Sequence, residues 1–545
     1  MYKGPTIRDG ALALLGSMLE SDEVEVWLSG RSRVQVVQGI PEGGSLGSLG
    51  YNLLPDTLIR TLEGDGHGIG LFMQVPVAWK DHAWCCVGSP VDAVVVDLRA
   101  RLRFGGPLPP SQLLKVWPHL EASAARALDL ESEARLACMF HADDPIFFAS
   151  SQGAMQLLLD AVSAWAQGVG AAFDVGPQKT VGMVAGSYVP CEAALTFEGS
   201  RLALVGAHRW LGVLWPADLD FRAYLLSRLQ AASGAVAQLA GFASSRMIPW
   251  YMVGDLFETK VDSLLAMGRW LFCMVDDAQV IIDGYYEGWA RLFLGADPWR
   301  NAATCMSKVG WKLSGFARVV RAVALRRASL WLAGTSDWHA SFFFTCGTLT
   351  GSWSSCSASL LRQWSVADWP EWQGVPKTYQ KYKCYVNDVL AHACFPSWQA
   401  RVQLHRSYIP YGCFDPAPGL VVERCRREHL PHDVNMQLRS WLRLRCGLLV
   451  LSHREGRRSA ARYQSCIGCG LCVRNTMVHC LSKCARWSTQ RDAVSQCAGL
   501  DSEMDGHAFA LKCLGSSIPS DALVLVVAWS AQIDKLACDF WNNPD

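Results

Sequence analysis

The five residues Phe140-His141-Ala142-Asp143-Asp144 carry the most chemical content in this chain. Adjacent carboxylates at a strand turn repel each other unless a cation lies between them. Mg2+ takes one or two such carboxylates together with substrate phosphates, as two-metal phosphoryl transfer requires. The plain alternative is a solvated turn, because Asp is common in turns. A second group lies at Cys466, Cys469, Cys472, His479, Cys480 and Cys484. A C-x2-C turn supplies two thiolates, and a helix supplies a His and a Cys about one turn apart. Cys466, Cys469, His479 and Cys484 therefore suit closed, tetrahedral Zn2+. Two other readings stay open. Cys466, Cys469 and Cys472 begin like a ferredoxin iron–sulfur motif, although no Cys-Pro follows and Cys480 has the wrong spacing. The cysteines could also form a metal-free thiol cluster, with Cys472 and Cys480 as spare thiols.

Local patterning indicates what must position these groups. Ala134–Phe140 and Pro145–Ala149 read as two strands joined by the acidic turn. Ser150 or Ser151 can cap a helix whose apolar positions are Met155, Leu158, Leu159, Val162, Trp165, Ala166 and Val169. Upstream, Glu23–Leu28 and Arg33–Val37 read as strands and Gly10–Leu19 as a helix. Tyr51–Leu62 reads as a helix with Leu53, Leu54, Leu58 and Leu62 inward. Residues 64–110 read as irregular. Helices are clearest at 221–243, 255–275, 279–294 and 316–333, and 334–358 reads as a loop.

Four segments follow one another in order: Gly39-Ile40-Pro41-Glu42-Gly43-Gly44-Ser45-Leu46, the acidic turn, Gly176-Pro177-Gln178-Lys179-Thr180, and Arg209-Trp210-Leu211-Gly212-Val213. Together they resemble the reverse transcriptases of non-LTR (LINE-type) retrotransposons, over roughly residues 30–215. The resemblance implies that Asp143 and Asp144 bind Mg2+ and that Lys179 lies near the triphosphate, where a cation stabilises developing charge. It places Gly39, Glu42 and Gly43 at the nucleotide and template. Many proteins of this type also end in a C-x2-C…H-x4-C segment followed by an aromatic residue and Arg, as Trp487 and Arg491 follow here. The implied fold is α+β. A partial polymerase palm, a small antiparallel sheet with helices, spans 1–200 with an insertion near 64–130. A helical thumb-like region spans 201–300, and a helical linker region, basic from about 401, spans 301–460. A CCHC zinc-knuckle-like segment spans 461–500, and a C-terminal tail spans 501–545. The implied partners are an RNA template, a DNA target and, for an active enzyme, deoxynucleotides.

The sequence also departs from that pattern. The family's second metal-binding Asp, in a D-x-x-x-A-F/Y-D segment, is not found in the 38 residues before Gly39. Glu42 stands where the family has Gln and puts negative charge where phosphates approach. One arm of a ligand set cannot bridge two ions. The expectation is a reverse transcriptase by ancestry that is inactive as this chain. The alternative is a non-enzymatic nucleic-acid-binding protein with a zinc knuckle and a basic region.

Charge patterning supports a nucleic-acid partner. Residues 401–490 hold 15 Lys and Arg against 5 acids, a net of +10, and 14 of those bases are Arg, which suits phosphate forks. Tyr408, Tyr411, Trp441 and Tyr463 are interleaved, as in single-strand binders. Over all 545 residues the net charge is only +1, which excludes a uniformly basic binder, and half the residues are hydrophobic, which excludes an acidic disordered chain. No signal peptide or membrane-length apolar run is evident. The 21 cysteines are therefore expected in a reducing, intracellular setting, nucleus or cytoplasm. The 23 tryptophans are expected mostly as core anchors.

Overall fold

In a computed structural model, the described residues are 23–28, 30–35, 58–62, 64–67, 69–71, 77–80, 83–86, 134–141, 144–149, 151–169, 171–176, 179–184, 194–296, 301–333, 351–375, 377–403, 424, 428, 430–446, 452–453, 464–473, 476–501, 504–515 and 517–542. Helices dominate them, and the strands form small sheets, all two-stranded except one of three strands. The chain divides into two compact units. One is residues 1–210 with 215–219, and the other is residues 211–214 with 220–545.

In the first unit the strands Glu23–Leu28 and Gly30–Gln35 pair antiparallel. The second strand therefore starts earlier than its apolar residues suggest. Cys138–His141 pairs antiparallel with Asp144–Phe147, so the expected hairpin is present. Its first strand is shorter than expected, because Ala134–Leu136 turns away to pair with Ile69–Leu71. A further hairpin, Val77–Lys80 with Ala83–Cys86, lies in the stretch that reads as irregular.

The Gln152–Val169 helix starts at Ser151, whose Oγ accepts the Ala154 N–H at 3.2 Å. Such a cap satisfies one of the amides that a helix start leaves unpaired. Leu158, Leu159, Val162 and Ala166 are buried on its inner face. Leu58, Leu62, Cys138, Phe197 and Leu202 complete that core, with Phe140 and Phe147 of the hairpin packed against it. Val169 departs from the expected stripe and is exposed. The last turn of the helix runs past the core edge.

The second unit is built from helices. Arg222–Ser244, Ala278–Leu294 and Gly315–Ala333 match their expected positions closely. The expected 255–275 helix is instead broken into Val253–Leu256, a π-helical turn at Phe257–Asp262, Ser263–Ala266 and a 3-10 stretch at Arg269–Met274. Gly268 causes the second break. It adopts a left-handed φ of +67°, and an added Cβ would lie 3.0 Å from the Tyr224 ring. Tyr224 Oη meanwhile donates to the Met267 carbonyl at 2.9 Å. Gly268→Ala combines left-handed strain with a clash. It is expected to destabilise the protein by about 1–3 kcal/mol, read as a lower urea midpoint with an unchanged slope.

Aromatic rings fill this core. The Phe257 ring centroid lies 4.4 Å from that of Trp311, and Tyr286 lies 5.0 Å from Trp289. Further along, the 353–358 part of the expected loop belongs to the Trp353–Gln363 helix, capped by Ser352. Residues 501–545, read as a tail, carry the helices Gly506–Leu514 and Ser520–Asn542. Ser520–Asn542 packs on His432–Arg445. Among the described residues no helix is long and apolar enough to cross a membrane.

Candidate metal centre

The cysteine segment folds as a hairpin followed by a helix. Gln464–Cys466 pairs antiparallel with Cys472–Val473. The turn between them closes with Gly470 N–H donating to the Cys466 carbonyl at 2.8 Å and Cys466 N–H donating to the Leu471 carbonyl at 2.9 Å. Gly470 sits at φ +75°, a left-handed value that glycine adopts without strain. The turn also points Gly468 N–H at Cys466 Sγ, 3.3 Å away. The Thr476–Ser482 helix then presents His479. It ends with the Lys483 and Cys484 amides both donating to the His479 carbonyl at 2.8 Å. That ending swings Cys484 back toward the hairpin.

Cys466, Cys469, His479 and Cys484 meet here, with one ligand atom from each and all four atoms within 4.8 Å of one another. Cys466 Sγ lies 3.9 Å from Cys484 Sγ, and Cys469 Sγ lies 3.1 Å from His479 Nε2. Ligands about 2.3 Å from a tetrahedral ion would be separated by about 3.8 Å. The four residues therefore form a group that could hold a metal such as zinc. Cys466, His479 and Cys484 are buried, and Trp487 is buried beside them.

Cys480 is the residue that the spacing left unassigned. It is 1% exposed and not one of the four. Its thiol hydrogen-bonds to Cys466 and, more than any other influence, pulls the Cys466 thiol down to about 4; burial opposes this, and the backbone amides of Cys469 and Gly468 assist. Burial pushes the Cys484 thiol up to about 12. Binding a metal ion would displace such protons, because thiolate is the ligand. The Cys472 side chain lies outside the described residues.

The acidic turn is described only in part. Asp144 is exposed and stands opposite His141 in the hairpin register. Asp143 lies outside the described residues, as do Gly39, Glu42 and Gly43. Lys179 is exposed in a turn whose amides at 179 and 180 donate to the Gly176 carbonyl. The strand after it, Val181–Gly182, pairs in parallel with Ala203–Leu204 and not with the Cys138–His141 hairpin. Leu211 and Gly212 form a turn at φ +50° and +77°, so Trp210-Leu211-Gly212 ends a strand instead of continuing one.

Five of the seven described basic residues of the region have partners within the fold. Arg443 pairs with Asp534 at 2.7 Å, Arg401 with Glu287 at 2.5 Å and Arg424 with Glu428 at 2.6 Å. Arg439 donates to the Phe293 carbonyl, and Arg445 lies over the Trp441 ring at 4.5 Å. Trp441 is buried, which removes it as a platform for bases. Long side chains on a helix that is covered on several sides must find partners or be excluded from the core. Sequence spacing alone does not show that covering. Lys483 and Arg486, close in the chain to the Cys3His group, are exposed. Arg406, Arg426, Arg427, Arg454, Arg457, Arg458, Arg462 and Arg474 lie outside the described residues, with Tyr408, Tyr411 and Tyr463.

The class that fold and site define is thus a mostly helical protein with a Cys3His group near its C-terminus. No family model, curated protein or solved structure matches the chain.

Proposed function

We propose that this chain is a nucleic-acid-binding polypeptide of reverse-transcriptase ancestry that holds Zn2+ and lacks a complete polymerase centre. The observation that carries the reading is the Cys3His group, with Lys483 and Arg486 exposed close to it in the chain. Thr476 stands where a ferredoxin-like motif would need its fourth cysteine, and the four atoms that meet include a His nitrogen, which favours zinc over iron. The acidic hairpin, with a helix packed on it and Lys179 in a turn beyond that helix, supports the ancestry. On this reading Asp143 and Asp144 are a remnant Mg2+ site, and Lys179 a remnant triphosphate contact. Gly39, Glu42 and Gly43 belong to the nucleotide and template segment. Residues 1–38 hold no D-x-x-x-A-F/Y-D segment, so the residues of this chain alone do not supply the second arm of a two-metal centre.

The purified chain is expected to bind single-stranded RNA with an affinity that falls steeply as salt rises, because phosphate contacts release counterions. It is expected not to extend a primer on a poly(rA) template with Mg2+. Absent or salt-independent binding, measured by filter retention between about 50 and 200 mM salt, defeats the binding reading. Extension that Asp143→Ala abolishes defeats the claim of an incomplete centre.

A further inference from the structure

An open cleft of about 720 Å3 lies in the second unit and shares no residue with the Cys3His group. Three helices contribute to its walls. Gln279 comes from the first turn of Ala278–Leu294. Gln363 closes Trp353–Gln363, and Trp364 and Ser365 follow it. Asp388 and His392 come from the helix Tyr379–Gln403, where a spacing of four puts them on one face. Cross-links hold these walls in place. Tyr382 Oη donates to the Ala367 carbonyl, and the Ala367 amide donates to Tyr385 Oη, both at 2.9 Å. Arg321 Nε donates to Asn387 Oδ1 at 2.7 Å, and the Phe316 ring lies 6.2 Å from that of Trp364. Packing within the fold therefore shapes the cleft without help from a ligand.

The chemistry of the walls is one-sided. At the end of Trp353–Gln363 the Val366 N–H donates to the Leu361 carbonyl at 2.9 Å and the Ser365 N–H to the Arg362 carbonyl at 3.1 Å. This ending takes a left-handed residue, usually glycine, and here it is Ser365 at φ +54°. A side chain in that conformation carries a steric cost, and at this turn it puts a hydroxyl on the cleft wall. His392 Nδ1 lies 2.7 Å from the Asp388 carbonyl. A carbonyl only accepts, so Nδ1 carries the proton and Nε2 of the neutral ring is an acceptor. The Asp388 carboxylate, one helical turn away, also accepts. No Lys or Arg is among the described residues that line the cleft, so a phosphate or carboxylate would find no counter-charge there. Asp388 and His392 are too few to hold a metal ion. Among the described residues, the group of three or more possible metal ligands is Cys466, Cys469, His479 and Cys484.

We propose that this cleft binds a guanidinium group. A guanidinium is planar and cationic, offers only donors and stacks on aromatic faces. That inventory complements a carboxylate, an imidazole acceptor, a hydroxyl and an indole. The edge of the group donates to the Asp388 carboxylate and to His392 Nε2, and its plane lies on the Trp364 indole. Ser365 Oγ and the amide oxygens of Gln279 and Gln363 accept at the rim. A primary ammonium has the charge without the plane, and a nucleobase has the plane without the charge. The cleft falls in the size range of whole-ligand pockets, about 300–1,000 Å3, so it has room for the chain that carries the group. An arginine side chain of a peptide and a free guanidino amine both present this chemistry.

The test is isothermal titration calorimetry of the full chain with agmatine, with arginine capped as its N-acetyl methylamide, with lysine capped in the same way, and with adenosine. Saturable binding of one guanidinium compound per chain is expected, with capped lysine weaker than capped arginine. Tighter binding of capped arginine marks a protein side chain as the source, and tighter binding of agmatine marks a free amine; either supports the proposal. Asp388 is exposed, so Asp388→Asn is expected to keep the wild-type urea midpoint. It is expected to weaken binding about tenfold through loss of a charge-assisted bond. Ser365→Gly suits the left-handed turn, is expected to fold, and is expected to weaken binding about threefold through loss of one acceptor. No saturable binding of either guanidinium compound up to about 10 mM overturns the proposal. Wild-type affinity in Asp388→Asn overturns it too. So does capped lysine that binds as tightly as capped arginine, or adenosine that binds where neither guanidinium compound does.

Discussion

Cys484→Ser is expected to leave the chain without bound zinc and to unfold residues 464–484, while the helices around Phe257 stay folded. Structural zinc supplies about 10–16 kcal/mol in small zinc-finger peptides, and a preformed site rarely survives without the ion. Here the Thr476–Ser482 helix has a second support, because it packs on Gly506–Leu514. A Cβ at Gly506 would lie 2.5 Å from Ser482 Oγ, so that packing is close. The loss should therefore be local. Metal analysis by inductively coupled plasma spectrometry should give one zinc per wild-type chain and none in the variant. Hydrogen exchange should accelerate in residues 464–484 and stay slow in Arg222–Ser244. Cys480→Ser should retain the zinc but weaken its hold by about 10- to 100-fold, as loss of a group that hydrogen-bonds to a ligand does. A full equivalent of zinc in Cys484→Ser would defeat the assignment of that ligand.

Asp262→Ala is expected to cost about 3–5 kcal/mol of stability, because it removes the carboxylate that buried Arg269 and Arg318 share and leaves Arg318 only the more exposed Glu258 at 3.6 Å. Asp262 closes the π-helical turn and accepts from Arg269 at 2.9 Å and from Tyr286 Oη at 2.7 Å. Arg318 lies 3.5 Å away and also covers the Phe257 and Tyr286 rings. Burial raises the Asp262 carboxyl, but Arg269 and Arg318 outweigh it and hold the group below the usual carboxylate value. A carboxylate depressed in the fold stabilises above its unfolded pKa of about 3.9, and that stability is lost as pH falls through the folded value. The difference in unfolding free energy between wild type and Asp262→Asn should therefore be constant from neutral pH down to about 5 and shrink below about 4. Urea unfolding of both proteins across that range measures it. A difference under about 1 kcal/mol at pH 7 would mean that the ion pairs contribute no more than exposed ones do.

Spacing alone made much of the candidate site legible. C-x2-C places two thiols on one tight turn, and H-x4-C keeps His479 and Cys484 close in the chain, although Cys484 lies just past the end of the Thr476–Ser482 helix expected to carry both. Both are short-range relations that the backbone enforces. The same holds for the Ser151 cap, the apolar stripe from Leu158 to Ala166 and the hairpin on either side of the acidic turn. The 255–275 segment shows where this reading stops. Its apolar residues recur at helical intervals, yet Gly268 and the π-helical turn break the helix. The turn places Asp262 against Arg269, Tyr286 and Arg318.

Charge counting shows the larger gap. The sequence by itself determined that residues 401–490 carry a net +10, that four Cys and His ligands share one short segment, and that the second unit is helical. Among the described residues, the tertiary structure decided which of those charges are paired. Asp534 lies far along the chain from Arg443, and Glu287 far from Arg401, so no local pattern predicts either pair. It also decided that Trp441 is core, that Cys480 supports Cys466, and that Trp364 and Ser365 line one cleft with Asp388 and His392. Backbone periodicity acts over a few residues and is written locally. Burial and pairing arise when segments distant in the chain exclude water from between them, and only the packed chain specifies which segments those are.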